Sequence, residues 1–324
     1  MVLVGVSFED NSADNIYTLY AIDLKNDTPG NNGNNVAKID KFTPADPDAD
    51  LEGLATNPDT GAVFAITESN VSRNALFKVF PSDFGYKLDQ KRFGDDAGLD
   101  FAANSKGADV GAVLYNIQGE DETEGGAVIG SQLYKIQIKI NPNTGKKFGD
   151  VTKVGAQSKE FFDGLAISSE LFGGTFGVAS DFENSEGDGD ELYKINLSNG
   201  QQTLLGAVKF TDFAGKAIKE FNSDSGLAYD ATTNKLYAIE DETNDLFFST
   251  AGSGFLKFQE INDDLPESTN TKLNEGEFEG LAIANVNVSF SKASSAALFG
   301  TEAGQDVLAA GLATTFDPSA TASI

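Results

Sequence analysis

Apolar and polar residues alternate along short stretches of this chain, and glycine, asparagine and aspartate separate those stretches. Lys235-Leu-Tyr-Ala-Ile239 and Leu192-Tyr-Lys-Ile195 are two examples. Alternation of this kind predicts β-strands with one buried face, and the residues between them favour tight turns. Since no apolar run is long enough for a membrane-spanning helix, the pattern predicts an all-β protein.

One unit recurs five times along the chain. Each copy begins with Gly-Leu, continues through a turn into an apolar strand, and adds two further strands, the first of them marked by sequences such as Leu133-Tyr-Lys-Ile136. The copies begin at Gly53, Gly98, Gly164, Gly226 and Gly280. Four antiparallel strands in a repeat of this size are typical of a propeller blade. The sequence therefore predicts a five-bladed β-propeller over residues 1–290, with a β-sandwich as the alternative.

The two ends of the repeat region are out of phase with the other copies. Val4–Glu9 matches the second strand of a blade, whereas the matching first strand comes last, at Gly280–Ile283. We expect residues 280–286 to pair with residues 3–9 and close the ring, because closure removes exposed sheet edges. Glycine at the start of each innermost strand suits a narrow ring, in which backbones approach closely.

Composition narrows the functional classes. The chain carries 50 acidic and 23 basic residues, a net charge of −27, and has no histidine, cysteine or tryptophan. This charge repels nucleic acid and anionic membranes, so neither nucleic-acid binding nor membrane insertion is expected, and it favours divalent cations. Without histidine the chain lacks the usual general base near neutral pH, which argues against an enzyme.

Acidic residues are concentrated where first strands begin and second strands end, which is one face of a propeller. Carboxylates that converge there repel one another unless a cation intervenes, and calcium accepts many oxygen ligands in flexible geometry. The sequence therefore predicts bound calcium, and the alternative is a solvated acidic rim with no fixed ion. The candidate ligands are Glu52, Asp163 and Glu279 before the repeat glycines, and Asp181, Glu186, Asp188 and Asp190 in one acidic loop.

The repeats resemble a known family. Glu52-Gly-Leu-Ala, the following Gly61 and Glu68, and Glu279-Gly-Leu-Ala are similar to the repeats of esterase-like phytase-domain propellers and related bacterial proteins. That resemblance implies calcium bound near the channel by Glu52, Asp163 and Glu279, whereas Ala97 and Ser225 depart from it. Phosphate hydrolysis is not expected, because Arg73 and Arg92 are the only arginines.

Residues 291–324 form a separate C-terminal tail or linker, rich in alanine, serine and threonine. Its Gly304-x-Asp306-x-Leu308 resembles part of one hemolysin-type (RTX) calcium-binding repeat of secreted bacterial proteins, including cyanobacterial ones. The resemblance implies export and an extracellular or cell-surface location. The apolar residues of the tail also predict self-association or contact with a neighbouring protein.

Three functions fit the sequence. The first is a secreted, acidic, calcium-binding propeller that serves as a surface, matrix or partner-binding module and is not an enzyme. The second is a calcium-dependent hydrolase, either a phosphoesterase or a glycosidase, that uses carboxylates on the acidic face. The third is a structural subunit of a surface layer or filament.

Overall fold

The computed structural model contains five β-sheets and, among the residues it describes, no α-helix. It contains no helix able to cross a membrane in the same part of the chain. The described residues are 2–9, 16–22, 36–42, 51–67, 75–80, 86–88, 97–107, 109–119, 130–182, 190–218, 221, 226–240, 245–262 and 278–284.

The sheets are five blades, labelled I to V here, each listed from its innermost strand outward. Blade I is β4 (Leu51–Thr56), β5 (Val63–Thr67), β6 (Ala75–Phe80) and β7 (Tyr86–Lys87). Blade II is β8 (Ala97–Phe101), β9 (Val113–Gln118), β10 (Gln132–Ile140) and β11 (Lys147–Val154). Blade III is β12 (Gly164–Ile167), β13 (Phe176–Asp181), β14 (Glu191–Asn196) and β15 (Gln202–Ala207). Blade IV is β17 (Leu227–Asp230), β18 (Lys235–Ile239), β19 (Leu246–Thr250), β20 (Lys257–Asn262) and β16 (Lys209–Thr211). Blade V is β21 (Phe278–Ala284), β1 (Val2–Glu9), β2 (Ile16–Ile22) and β3 (Val36–Phe42).

The blades form a closed ring around their innermost strands. Each innermost strand contacts the innermost strands of the two neighbouring blades. The leucine of each repeat packs in a different apolar core, and each core lies between two neighbouring blades. These leucines are Leu54 between V and I, Leu99 between I and II, Leu165 between II and III, Leu227 between III and IV, and Leu281 between IV and V. The predicted five-bladed β-propeller is confirmed.

The predicted closure is also confirmed. Strand β21 pairs antiparallel with β1, so that Val4 lies opposite Ala282 and Gly5 opposite Leu281. The closing strand runs over Phe278–Ala284 rather than 280–286, because its pairing begins two residues before the repeat glycine. Blade V is therefore assembled from both ends of the repeat region, which leaves no unpaired strand between blades IV and I.

Close backbone approach explains the repeat glycine in three of the five innermost strands, those of blades I, II and V. A Cβ atom on Gly53 would lie 2.1 Å from the Ala97 carbonyl oxygen, and one on Gly98 would lie 2.6 Å from the carbonyl carbon of Gly164. A Cβ on Gly280 would lie 2.9 Å from the Leu54 nitrogen. Since no side chain fits at these distances, glycine is required for neighbouring innermost strands to meet.

At two blades the chain that leaves one blade continues along the outer edge of the next. After β15 ends blade III, β16 pairs in parallel with residues 257–259 of β20 at the outer edge of blade IV, which has five strands instead of the predicted four. After β7 ends blade I, Leu88 forms a single parallel bridge with Gly149 of β11 at the outer edge of blade II, which keeps four strands.

A candidate acidic site on blade III

The described part of the predicted acidic loop lies at one end of blade III. Asp181 ends β13, Glu191 begins β14, and the two residues lie directly opposite each other across the strand pair. Like charges in this arrangement destabilise a sheet when nothing compensates them. Asp190 immediately precedes Glu191, so three acidic residues are located at one hairpin end.

Tyr193 lies between this hairpin and a fourth acidic residue, Glu160. Its hydroxyl donates a hydrogen bond of 2.5 Å to Oε2 of Glu191, and its ring packs edge-on against Phe162. Burial raises the pKa of Tyr193 well above its usual value, and the hydrogen bond to Glu191 and the charges of Glu160, Glu191 and Asp181 raise it further. The same phenol therefore lies within the electrostatic influence of three carboxylates.

Asp190 has an unsatisfied carboxylate oxygen. Its Oδ1 is buried and has no hydrogen-bond partner among the described residues. Burial raises the pKa of Asp190 to about 6. A buried polar atom without a partner requires an explanation, and a bound ion or water molecule is one. A carboxylate oxygen is also a ligand type that calcium prefers, so this position fits a cation.

Asp163, one of the predicted calcium ligands, makes buried hydrogen bonds within blade III. Its side chain is completely buried, Oδ1 accepts a hydrogen bond of 2.5 Å from the Ser180 hydroxyl, and Oδ2 accepts one of 2.9 Å from the Phe182 backbone nitrogen. These bonds tie the start of β12 to the end of β13. Asp163 therefore stabilises the backbone of blade III whether or not it also contacts an ion.

The remaining predicted ligands are distributed over other blades or lie outside the described residues. Glu52 is buried in β4 of blade I, at the position that Asp163 holds in blade III. Glu279 belongs to β21, but its side chain is outside the described part, and so are Glu186 and Asp188. No group of three histidine, cysteine or acidic side chains that could hold a metal is found within the described ranges. Calcium binding by the seven residues stays a prediction.

Sequence reasoning does not identify two of the three carboxylates that raise the pKa of Tyr193, namely Glu191 and Glu160. Glu191 was part of the acidic loop, but its position opposite Asp181 depends on the register of β13 and β14. Glu160 lies in the connection between blades II and III, 33 residues from Tyr193. No local pattern marks Glu160, because its approach to Tyr193 arises from the packing of two blades.

The strand pairing and the closed ring define a five-bladed β-propeller. No protein-family model matches the chain, and no curated protein matches it. Similar solved structures include a nidogen/laminin complex, with 9% identity, 88% of this chain and 99% of that chain covered, and a TM-score of 0.41. TolB from Acinetobacter baumannii has 11% identity, 87% and 57% coverage and a TM-score of 0.39.

A third similar structure is a calcium-binding protein, regucalcin, from Agrobacterium tumefaciens, with 13% identity, 85% of this chain and 90% of that chain covered, and a TM-score of 0.40. This chain spans less than two thirds of the TolB chain. These likenesses concern overall fold and assign no residue of this chain to a function.

Proposed function

We propose that this protein is a secreted, calcium-binding β-propeller that serves as a non-enzymatic module for binding a protein or matrix partner. The observation that carries the calcium part is the buried Oδ1 of Asp190, which has no hydrogen-bond partner among the described residues and lies beside the opposed pair Asp181 and Glu191. A divalent cation at this hairpin end would satisfy that oxygen and offset the repulsion between the two carboxylates.

The acidic loop supplies the other ligands in this proposal. Residues 182–190 connect the two opposed carboxylates, and Glu186 and Asp188 belong to that connection. The described residues provide too few ligands for calcium, which takes six to eight oxygen atoms. The proposed site therefore consists of Asp181, Asp190 and Glu191 from the hairpin, together with Glu186 and Asp188.

The extracellular part of the proposal rests on composition. A net charge of −27 and the absence of cysteine and histidine suit a calcium-rich exterior, and the RTX-like segment Gly304–Leu308 suits export. That segment and the whole tail, 291–324, lie outside the described residues. Binding rather than catalysis is proposed because the chain contains no histidine, the residue that most often serves as a general base.

Calcium is expected to raise the melting temperature of the protein, and Asp190→Asn is expected to abolish that rise. A cation that binds only the folded state adds about 2.7 kcal/mol of stability at a hundredfold excess over Kd. In chelator, Asp190→Asn should melt above the wild type near neutral pH, because it removes a buried charge. Thermal unfolding in calcium, magnesium and chelator measures both effects.

Glu170→Gln is the matched control, since it removes one charge from an exposed residue at the other end of β13. It should retain the full calcium response. Equal melting temperatures in calcium and chelator for the wild type would overturn the proposal. An equal rise with sodium chloride alone would indicate charge screening and would overturn it as well.

The affinity for calcium is expected to fall between pH 7 and pH 5. Burial raises the pKa of Asp190 to about 6, so its carboxylate takes up a proton in this range and stops acting as a ligand. Calorimetric titration with calcium at pH 5, 6 and 7 measures the change. An affinity that does not vary over this range would exclude Asp190 from the site.

A further inference from the structure

The outer edge of blade III is open where those of blades II and IV are covered. In blade IV, Phe210 of β16 pairs with Phe258 and is only 2% exposed. In blade II, Leu88 covers Gly149 and is 4% exposed. Among the described residues, β15 of blade III pairs only with β14. The chain that leaves blade II does not continue along β15. It differs in this from the chain that leaves blade I, which reaches β11, and from the chain that leaves blade III, which reaches β20.

A groove lies beside the start of β15, next to the edge where an added segment would pair. It has a volume of about 430 Å³ and is lined by residues 156–160, which leave blade II, and residues 199–202, which lead into β15. The polar residues Gln157, Gln201 and Gln202 contribute to its lining. The groove is open to solvent, so a segment on the surface can reach it.

Two glycines build the groove by turning the connection away from β15. Gly155 and Gly200 both have left-handed backbones, with φ of +72° and +71°. A Cβ on Gly155 would lie 2.0 Å from the Asn199 carbonyl oxygen, and one on Gly200 would lie 2.5 Å from that of Val154. The connection and the turn therefore touch along their backbones, and the chain departs from the β15 edge immediately after β11.

The open edge presents hydrogen-bonding groups and one apolar side chain. The Asn196 nitrogen donates to the Gln201 carbonyl oxygen, and Lys194 lies opposite Thr203 in the same register. Since inward-facing and outward-facing backbone groups alternate along a strand, Gln202 and Leu204 direct their N–H and C=O groups to the open side. The Leu204 side chain is 50% exposed, the highest exposure of any leucine among the residues whose side chains the structure describes.

We propose that an extended peptide segment of a partner protein adds in parallel to residues 202–204 of β15 and lies in this groove. The segments that cover blades II and IV show the sequence that such an edge accepts. They are Lys87-Leu88 and Lys209-Phe210, each a lysine followed by a buried apolar residue. A basic residue also complements a protein with a net charge of −27. The partner segment is therefore an apolar residue preceded by lysine or arginine.

The proposal for the edge of β15 specifies the kind of partner that the proposed binding module recognises. To that extent it rests on the proposed function, but it does not depend on the calcium site. The probe is a labelled, end-capped peptide of residues 207–212, Ala-Val-Lys-Phe-Thr-Asp, which is the segment that covers blade IV. It should bind the full-length protein measurably by fluorescence anisotropy. A peptide with N-methylated backbone should bind about tenfold more weakly because it lacks the donors for edge pairing, and a scrambled peptide should bind about tenfold more weakly because phenylalanine no longer follows lysine.

Leu204→Pro is the test variant, since it removes an outward N–H and leaves the groups that face β14 intact. It should abolish peptide binding, whereas Thr203→Ala, whose N–H faces β14, should bind like the wild type. If Leu204→Pro does not fold, the comparison of the plain and N-methylated peptides on the wild type still decides the matter. Equal binding of these two peptides, or no binding of either, would overturn the proposal.

Repeating the titration in chelator separates this proposal from the calcium site. Peptide binding in chelator supports the proposal of peptide addition to β15 even when calcium has no effect on stability. An effect of calcium without any peptide binding overturns only the proposal of peptide addition. Sedimentation of the protein over a range of concentrations tests whether a second copy of the chain occupies the edge instead. Self-association that Leu204→Pro removes would show that a second copy, and not a partner peptide, occupies the edge.

Discussion

Gly53→Ala is expected to destabilise the propeller by at least about 3 kcal/mol, because the ring of innermost strands has no space for even one added carbon. The new Cβ would lie 2.1 Å from the Ala97 carbonyl oxygen and 2.7 Å from the Leu99 nitrogen. Both atoms belong to the backbone of β8, so a change of side-chain rotamer offers no relief. Blades I and II would have to separate along the axis, and the apolar core that contains Leu99 would open. Equilibrium unfolding in urea measures the loss.

Gly252→Ala is the control for this prediction. Gly252 lies in a short 3₁₀ turn, and a Cβ there would approach nothing closer than 3.8 Å. Its free energy of unfolding should stay within about 0.5 kcal/mol of the wild type. Comparable stability of Gly53→Ala and Gly252→Ala would show that the innermost strands do not meet as closely as the structure describes.

The blade count and the closure of the ring could be predicted from the sequence because both depend on repetition. Gly-Leu recurs at one place in every blade, and the phase difference between Val4–Glu9 and Gly280–Ile283 requires the two ends to meet. Strand β16 could not be predicted, since its three residues carry no signal of their own. It exists because Phe210 packs among Phe182, Phe221, Phe247 and Phe258, a cluster drawn from blades III and IV and the connection between them.

The acidic hairpin could be predicted only in part, because some of its residues are close in sequence and others meet through packing. Asp181 and Asp190 are close in sequence, so composition alone marked their loop. Their relation to Glu191 and Glu160 depends on strand register and on the packing of neighbouring blades, neither of which a single sequence contains. The position of Asp163 before a repeat glycine predicts a metal ligand, whereas its buried hydrogen bonds to Ser180 and Phe182 depend on the packing of β12 against β13 and carry no sequence signal.

Asp100 is a further exception to the repeat, and it lies in the interface between blades II and III. In the other four copies, alanine follows Gly-Leu, namely Ala55, Ala166, Ala228 and Ala282. The Asp100 carboxylate instead accepts hydrogen bonds of 2.7 Å from the Phe101 nitrogen and 2.6 Å from the Ile167 nitrogen. Ile167 belongs to β12, so this side chain joins the innermost strands of two blades. Burial raises the pKa of Asp100 to about 7, even though these two bonds lower it.

The wild type is expected to lose stability relative to Asp100→Asn as the pH rises from about 4 to about 7. A carboxyl with a raised folded-state pKa binds its proton more tightly in the folded protein than in the unfolded chain. Its contribution is therefore fully present below the ordinary pKa of 3.8 and disappears as the pH rises through the folded value of about 7. Between pH 4 and pH 7 the loss of stability of the wild type relative to the variant is on the order of 3 kcal/mol.

Asp100→Asn keeps an oxygen acceptor but cannot titrate, so its stability does not depend on pH through this residue. Urea unfolding of both proteins at pH 4.5, 6 and 8 measures the difference, and parallel pH profiles would contradict a raised pKa at Asp100. Asp100→Ala, which restores the residue of the other four blades, should follow the profile of Asp100→Asn, because the effect comes from the buried charge and not from the loss of a hydrogen-bond acceptor.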